Sequence, residues 1–437
     1  MSWSHRFFVL VALATLNAEI ALAQAPQNPA PQKLTLKEAE AIAIRNHPQL
    51  QAANLNALAA SEVTTEVRSA YYPQAYGDVT GAGALPNSRI AAGLLNNPSV
   101  FNREAEGVSV SQLITDFGRT ANLSETARLQ ASAQQENVQA TRETVLLQVD
   151  QAYFRALRAQ AVLKVAQETV KARQLVVDQV TALQQSKLKS ALDVSFANVN
   201  LADAQLLLVR AENDVKASFA ELSQALGYRD SQQYELADEP LPPAPPADLD
   251  ALVDAALRQR PELAGLRHES DAAHHFAKAE RDLWLPTVSA VGVAGVVPDR
   301  QIASGLGDRY GAAGINVSIP IFNGKLFSAR HAEASLRAQQ QDQNLRDLEN
   351  RVTRDVRVAW LDAVSAFKRL DLTQQLLYEA NQAADLAQAR YKLGLSSIVE
   401  LSQAQLNQTQ AQIEETSAKY DYQIRVASLN YQTGSLP

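Results

Sequence analysis

RTANLSETARLQ, residues 119–130, opens a stretch that closes with SFAELSQAL at 218–226 and holds 108 residues without a Gly or Pro. Residues 325–393 do the same over 69 residues. An ordinary globular helix averages about 11–12 residues, so runs of this length predict very long helices. Each run is expected to turn back at a tip, the first near Lys187–Ser190 and the second near Gly394–Ser397. A helix over 119–189 would reach roughly 100 Å at 1.5 Å per residue.

Working outward, the apolar residues keep a seven-residue beat. Val149, Ala156, Leu163, Val170 and Val177 form one row, and Val145, Ala152, Ala159 and Ala166 form a second, offset by about half a heptad. Val356, Ala363, Leu370, Leu377 and Ala384 repeat the first row, and Val352, Ala359, Ala366 and Thr373 the second. This is a coiled-coil seam, rich enough in Ala for helices to approach closely. A solvated two-helix hairpin fits the same pattern. The lengths favour something larger. The long arms have 71 and 69 residues, the return arms 190–226 and 397–433 have 37 each, and helices at 49–72 and 262–285 have 24 each. A return arm stacked end to end on such a helix nearly spans a long arm. Each chain then supplies four helical columns, two continuous and two composite.

The chain is a duplication. Shifted by 207 residues, Val110 falls on Val317, Asp178 on Asp385, Ser190 on Ser397 and Gly227 on Gly434. Upstream the shift is 213, with Pro48 on Pro261 and Pro73 on Pro286. We divide the chain into a first repeat at 34–228, a Pro-rich linker at 229–248 and a second repeat at 249–437. Thr35-Leu36-Lys37-Glu38 reads as a capping box opening a short helix to about Asn46. Pro48 starts a second helix running to about Tyr72, and Asp248 is the expected N-cap of a helix over Leu249–Gln259.

Strands are expected at Gln74–Leu85, Gly107–Thr115, Thr287–Val296 and Gly314–Ile321, with loops at 86–106 and 297–313. Each is about ten residues long, the length a membrane-spanning strand needs. Four strands do not close a barrel, since the smallest bacterial ones use about eight. Either they form a small soluble sheet or several chains pool them.

Residues 1–23 read as a secretory signal: Arg6, an apolar run from Phe7 to Leu16, and Ala21-Leu22-Ala23 at the expected cut. Ten apolar residues are too few for an anchor. Residues 24–33 are rich in Gln, Ala, Pro and Asn and are expected to be disordered. The chain has no Cys, which excludes disulfides and thiolate metal sites. A net charge of −7 without a basic block argues against a nucleic-acid partner. No later segment is long and apolar enough for a transmembrane helix, so any crossing of a membrane must use strands.

Several motifs together resemble the TolC-like outer-membrane efflux proteins. They are Leu34-Thr35-Leu36-Lys37-Glu38-Ala39 leading to Asn46-His47-Pro48, and the strand-to-helix joins Val110-Ser111-Gln112-Leu113 with Asp116-Phe117-Gly118-Arg119. Val317-Ser318-Ile319-Pro320-Ile321-Phe322-Asn323-Gly324 and the tip from Tyr391 to Leu401 complete the set. The resemblance covers essentially the whole mature sequence and implies a mainly α protein with a small β part. It implies a homotrimer with a twelve-strand β-barrel in outer-membrane lipid and a twelve-helix α-barrel across the periplasm. It implies a passive exit duct for a tripartite efflux or type I secretion system, opened by a periplasmic adaptor and fed by an inner-membrane pump. A secreted trimeric coiled-coil stalk or adhesin is the alternative, but a stalk has no reason to carry two strand hairpins.

Both tips carry Ser-x-x-acid, Ser190 with Asp193 and Ser397 with Glu400, the pattern of a capping box restarting a helix. The resemblance adds a gate. Three copies of Glu400 would form a carboxylate ring at the periplasmic mouth, favouring cations. The family's second acidic position is Gln403 here, and a basic latch position is Ser396, so the lock is weaker or uses Lys187 and Lys189. Tyr391 matches a tyrosine that helps hold the closed state in similar proteins. It reads equally as a packed tip aromatic. The adaptor is expected to dock on Lys187, Leu188, Lys189 and Ser190 and on Gly394, Leu395, Ser396 and Ser397, where small residues admit another hairpin end to end. His268, His274 and His275 lie close in sequence, but no carboxylate completes a familiar metal spacing. No Ser/His/Asp array, phosphate loop or useful acid pair stands out, so neither an enzyme nor a cofactor is expected.

Overall fold

The computed structural model describes residues 33–83, 85, 103–300 and 308–436. The expected signal and most of the Gln/Pro-rich segment lie outside them. Strand β1 (Lys33–Leu34) leads into α1 (Leu36–Asn46) and α2 (Pro48–Arg68), then β2 (Gln74–Ala82) and β3 (Arg103–Thr115). The long α3 (Arg119–Gln185) and its return α4 (Ala191–Ala225) close the first repeat. The second follows as β4 (Glu235–Leu236), α5 (Leu249–Gln259), α6 (Pro261–Arg281), β5 (Thr287–Arg300), β6 (Arg309–Ser318), α7 (Leu326–Lys392) and α8 (Ile398–Thr433).

Both long helices have 67 residues, and both begin behind a left-handed residue, Gly118 and Lys325. The first ends at Gln185, four residues before the expected 189, because the turn itself takes 186–190. The helix expected to run to Tyr72 leaves α geometry at Arg68 and finishes in a tighter turn over Ser69–Tyr71. Asp282–Trp284 does the same in the second copy. Each tight turn precedes a residue held extended by the following Pro, Tyr72 before Pro73 and Leu285 before Pro286. The capping box at Thr35 and the Asp248 cap are both present.

The strands form one antiparallel sheet in the order β2-β3-β5-β6. The seam between repeats is β3 against β5, with Gly107 opposite Gly295. Several expected bounds move. The first strand stops at Ala82, short of the expected Leu85, while the second starts at Arg103 and the third reaches Arg300, so the latter two take residues that read as loop. The fourth spans Arg309–Ser318 rather than Gly314–Ile321, because Pro320 has no N–H to give a ladder. Tyr310 is paired with Gly295, so its ring lies along the row Tyr310–Gly295–Gly107. A Cβ at either glycine would collide with that ring.

The helices form one layer. Toward the sheet the lateral order is α2-α3-α6-α7, and toward the turns it is α4-α3-α8-α7. The short helices stack as composite columns beside the two continuous ones. Ala at the seam positions, such as Ala156, Ala166 and Ala363, is buried, which is what close approach requires. The main core sits at mid-height, where Leu34, Ala39, Val149, Tyr153, Leu222 and Leu226 cluster. There β1 pairs in parallel with β4, and the Tyr153 hydroxyl lies 2.8 Å from the Leu34 carbonyl and 2.7 Å from that of Ala237. The linker is strapped along α7 and α8. Gln423 donates to the Glu239 carbonyl at 3.1 Å, Trp360 Nε1 to that of Pro246 at 2.7 Å, and Tyr422 to that of Pro243. No described helix is long and apolar enough to cross a membrane.

Candidate functional site

The two helical turns meet at the end of the layer farthest from the sheet. In the first, the N–H of Lys187 bonds Gln184 O at 2.9 Å and that of Leu188 bonds Leu183 O at 2.9 Å. In the second, the N–H of Gly394 bonds Tyr391 O at 3.1 Å and that of Leu395 bonds Arg390 O at 2.8 Å. Both turns thus satisfy the last carbonyls of the long helices in the same way.

The restart differs between copies. Ser190 and Asp193 form the full capping box, with Asp193 Oδ2 accepting from the Ser190 amide at 2.9 Å and hydroxyl at 2.7 Å. At Ser397 only half the box forms. Its hydroxyl accepts from the Glu400 amide at 3.3 Å, and the Glu400 carboxylate turns instead to Arg390, Oε1 to Nε at 3.3 Å. The expectation of matching boxes is therefore corrected. Arg390, ten residues before Glu400 across the turn, competes for that carboxylate.

A small core ties the turns together: Val180 of α3 with Ala387 and Tyr391 of α7 and Ile398 and Leu401 of α8. Tyr391 is 5% exposed, and Lys189 Nζ stands 3.8 Å from its ring centroid, a cation–π contact from the first turn onto the second hairpin. Burial and the neighbouring Asp193 carboxylate push the Tyr391 hydroxyl up to about 12. That hydroxyl has no well-aligned hydrogen-bond partner among the described residues. Burial works against the Asp193 carboxylate, but hydrogen bonds from Ser190 and the charge of Lys189 hold it below the usual range.

Above this core, two further links join the hairpins. Asn200 Nδ2 donates to Ser402 Oγ at 2.6 Å. Arg173 is buried and gives Nη2 to the Gln405 carbonyl at 2.8 Å and the Thr409 hydroxyl at 3.2 Å. Burial alone lowers its pKa. Leu188, Leu192, Leu393 and Leu395 are exposed around the turns.

The structure thus brings Lys189, Asp193 and Tyr391 together and places Lys187, Leu188, Gly394 and Leu395 in the two turns. Gln403 is engaged on its own helix, donating to Asn407 at 3.0 Å. The Ser396 hydroxyl is buried and has no hydrogen-bond partner among the described residues. Reading the sequence missed Arg173 and Arg390. Arg173 breaks the repeat, since the matching position is Ala380, and that mismatch was the available signal. The histidines diverge: His274 Nε2 lies 3.2 Å from Asp342, while His275 Nδ1 lies 3.1 Å from Asn122.

A family model described as outer membrane efflux protein matches residues 41–228 and 252–435. Outer membrane protein TolC of Escherichia coli (strain K12) is 24% identical over 407 residues, which is 90% of this chain and 80% of the relative. The alkaline protease secretion protein AprF of Pseudomonas aeruginosa is 26% identical over 322 residues, 70% of this chain and 65% of the relative. A solved membrane protein from Pseudomonas aeruginosa superposes with a TM-score of 0.81 at 21% identity, covering 92% of this chain and 91% of its own. CusC superposes with a TM-score of 0.78 at 22% identity, covering 94% and 98%.

Proposed function

We propose, because this chain belongs to the outer membrane efflux protein family, that three copies close into one exit duct through the outer membrane and the periplasm. Its location is the outer membrane, with a long periplasmic extension, and its family is one of channels. The observation that carries the trimer is a pair of matched open edges. Among the described residues the sheet ends in unpaired β2 and β6, and the helical layer ends in α2 with α4 on one side and α7 on the other. Each edge bears exposed apolar residues at heptad spacing. Leu192, Val199 and Leu206 lie along α4, and Val358, Leu372 and Leu386 along α7 with Leu393 at its C-cap. An open apolar strand edge invites pairing, and a head-to-tail contact of unlike edges closes into a ring. Three copies of four strands make a twelve-strand barrel. Four composite or continuous columns from each make twelve helices.

Exposed Tyr71, Tyr72, Phe117, Trp284 and Phe322 all sit at the strand–helix joins, beside Arg68, Arg119, Arg281 and Lys325. Aromatic and basic residues gather at this level where a barrel meets the headgroups. The joins therefore lie at the periplasmic face of the outer membrane, and the two turns hang at the periplasmic end. There Asp193, Tyr391, Glu400 and Gln403 form a closable mouth. The turns 187–190 and 394–397 receive the adaptor, which links the duct to an inner-membrane pump. A duct resting about 99% shut needs an adaptor that prefers the open form by ~10⁴, which contacts at several turns can supply.

The test is purification in detergent. Trimers with measurable single-channel conductance support the duct. Water-soluble, non-conducting rods would replace it with a stalk.

A further inference from the structure

The Glu400 carboxylate has a task that the Asp193 carboxylate does not. Asp193 spends one oxygen on the Ser190 cap. Glu400 makes no cap and lies 3.3 Å from the Arg390 guanidinium. Arg390 is steadied a second time inside the same turn, where Nη2 reaches the Leu395 carbonyl at 3.5 Å. The matching position of the first repeat is Leu183, so only the second turn carries this cation. Across residues 187–193 and 390–400 the cations are Lys187, Lys189, Arg390 and Lys392, against two carboxylates, Asp193 and Glu400.

We propose that Arg390 sets the charge selectivity of the periplasmic mouth: it holds each Glu400 in an ion pair, so that three copies present no ring of free carboxylates. This rests on the trimeric duct proposed above. A ring of like charges favours ions of opposite sign because their fields add on the axis. A guanidinium beside each carboxylate turns three monopoles into three dipoles. Their residual field is screened over a Debye length of about 8 Å at physiological salt. An exposed pair of this kind contributes little to stability, about 0–1 kcal/mol. Its effect on permeating ions is larger, because it cancels the charge they would meet. Across these residues the charges left uncompensated are Lys187 and Lys392, so the mouth favours anions.

The experiment uses the purified trimer in planar bilayers, with a KCl gradient and hexaamminecobalt(III) on the periplasmic side. The wild-type protein is expected to reverse on the anion-favouring side and to be indifferent to micromolar hexaamminecobalt. Arg390→Gln should shift reversal toward cations and lower the blocking concentration by about tenfold or more, as an exposed acidic ring would. Arg390→Lys should keep the wild-type behaviour. Arg390→Gln with Glu400→Gln should abolish the block, and Glu400→Gln alone should move reversal further toward anions. A conducting trimer blocked as strongly in the wild type as in Arg390→Gln overturns this proposal alone. So does one in which Arg390→Gln changes nothing. A protein that neither trimerises nor conducts overturns the duct reading, and this proposal with it.

Discussion

Lys187 and Gly394 stand at the same place in the two turns, and both adopt the left-handed backbone, with φ of 59° and 74°. The repeat shift of 207 residues brings one onto the other. Only one copy has the residue that this conformation suits.

Lys187→Gly should therefore stabilise the first turn by about 1 kcal/mol, and Gly394→Ala should destabilise the second by a similar amount. Nothing lies within 4 Å of a Cβ built at Gly394, so the second effect is backbone strain alone. Hydrogen exchange reads both. The Leu188 amide, which closes the first turn onto Leu183, should gain protection in Lys187→Gly. The Leu395 amide should lose it in Gly394→Ala. Unchanged exchange at both would show that the turns do not feel this strain.

Lys189 over the Tyr391 ring, with Asp193 beside it, separates ring from hydroxyl. Tyr391→Phe keeps the cation–π contact and removes a hydroxyl that has no aligned partner, so it should change little. Tyr391→Ala removes the ring from the tip core and should loosen it by about 3–5 kcal/mol. Lys189→Met should cost about 0.5–1 kcal/mol. Leak conductance of the channel without adaptor is the readout, rising in the order Tyr391→Phe, Lys189→Met, Tyr391→Ala. A leak in Tyr391→Phe equal to that in Tyr391→Ala would make the hydroxyl, not the ring, the closing group.

Tyr310 spans Gly295 and Gly107 in one cross-strand row. Gly295→Ala should displace the ring and lower the heat stability of the assembled protein on a gel. Tyr310→Ser in the same chain should restore part of it, because the contact with the ring is removed while the Glu106 carbonyl oxygen, also close to a Cβ at Gly295, remains. Failure of the second change to rescue the first would place the conflict with the Glu106 carbonyl, the other atom a Cβ at Gly295 meets.

Asp150 on α3 is buried, with one oxygen lacking a partner. Burial, and then the Glu40 carboxyl on α1, push it up to about 8. Burial likewise raises Glu40, with Glu239 adding to the effect and Arg142 and Lys37 opposing it. The folded pair holds a proton that the unfolded chain releases above the usual carboxylate range. The folded protein thus binds more protons, and stability falls as pH rises toward about 8. Asp150→Asn should flatten this dependence between the usual carboxylate range and about pH 8 and raise stability at the alkaline end. A melting profile with the same slope in both proteins would assign the pH dependence elsewhere.

The duplication, the long helices, the turn positions and the four strands were legible in the order of the residues alone. These follow from local backbone rules. Gly and Pro interrupt helices, a heptad marks a seam, and alternation marks a strand, all within a few residues of chain. The residue order also left the strands two fates, a small sheet of their own or a barrel shared with other chains, since four cannot close one. The tertiary structure decided which charges meet. Arg173 reaches Gln405, 232 residues on, Lys189 lies on Tyr391, and Asp150 faces Glu40. Even Arg390 and Glu400, only ten residues apart, pair because the turn folds one helix beside the next. The physical reason is range. Periodicity is written in each helix separately, whereas the partner of a side chain depends on how two helices rotate about their axes when they pack, and no single stretch of sequence carries that rotation.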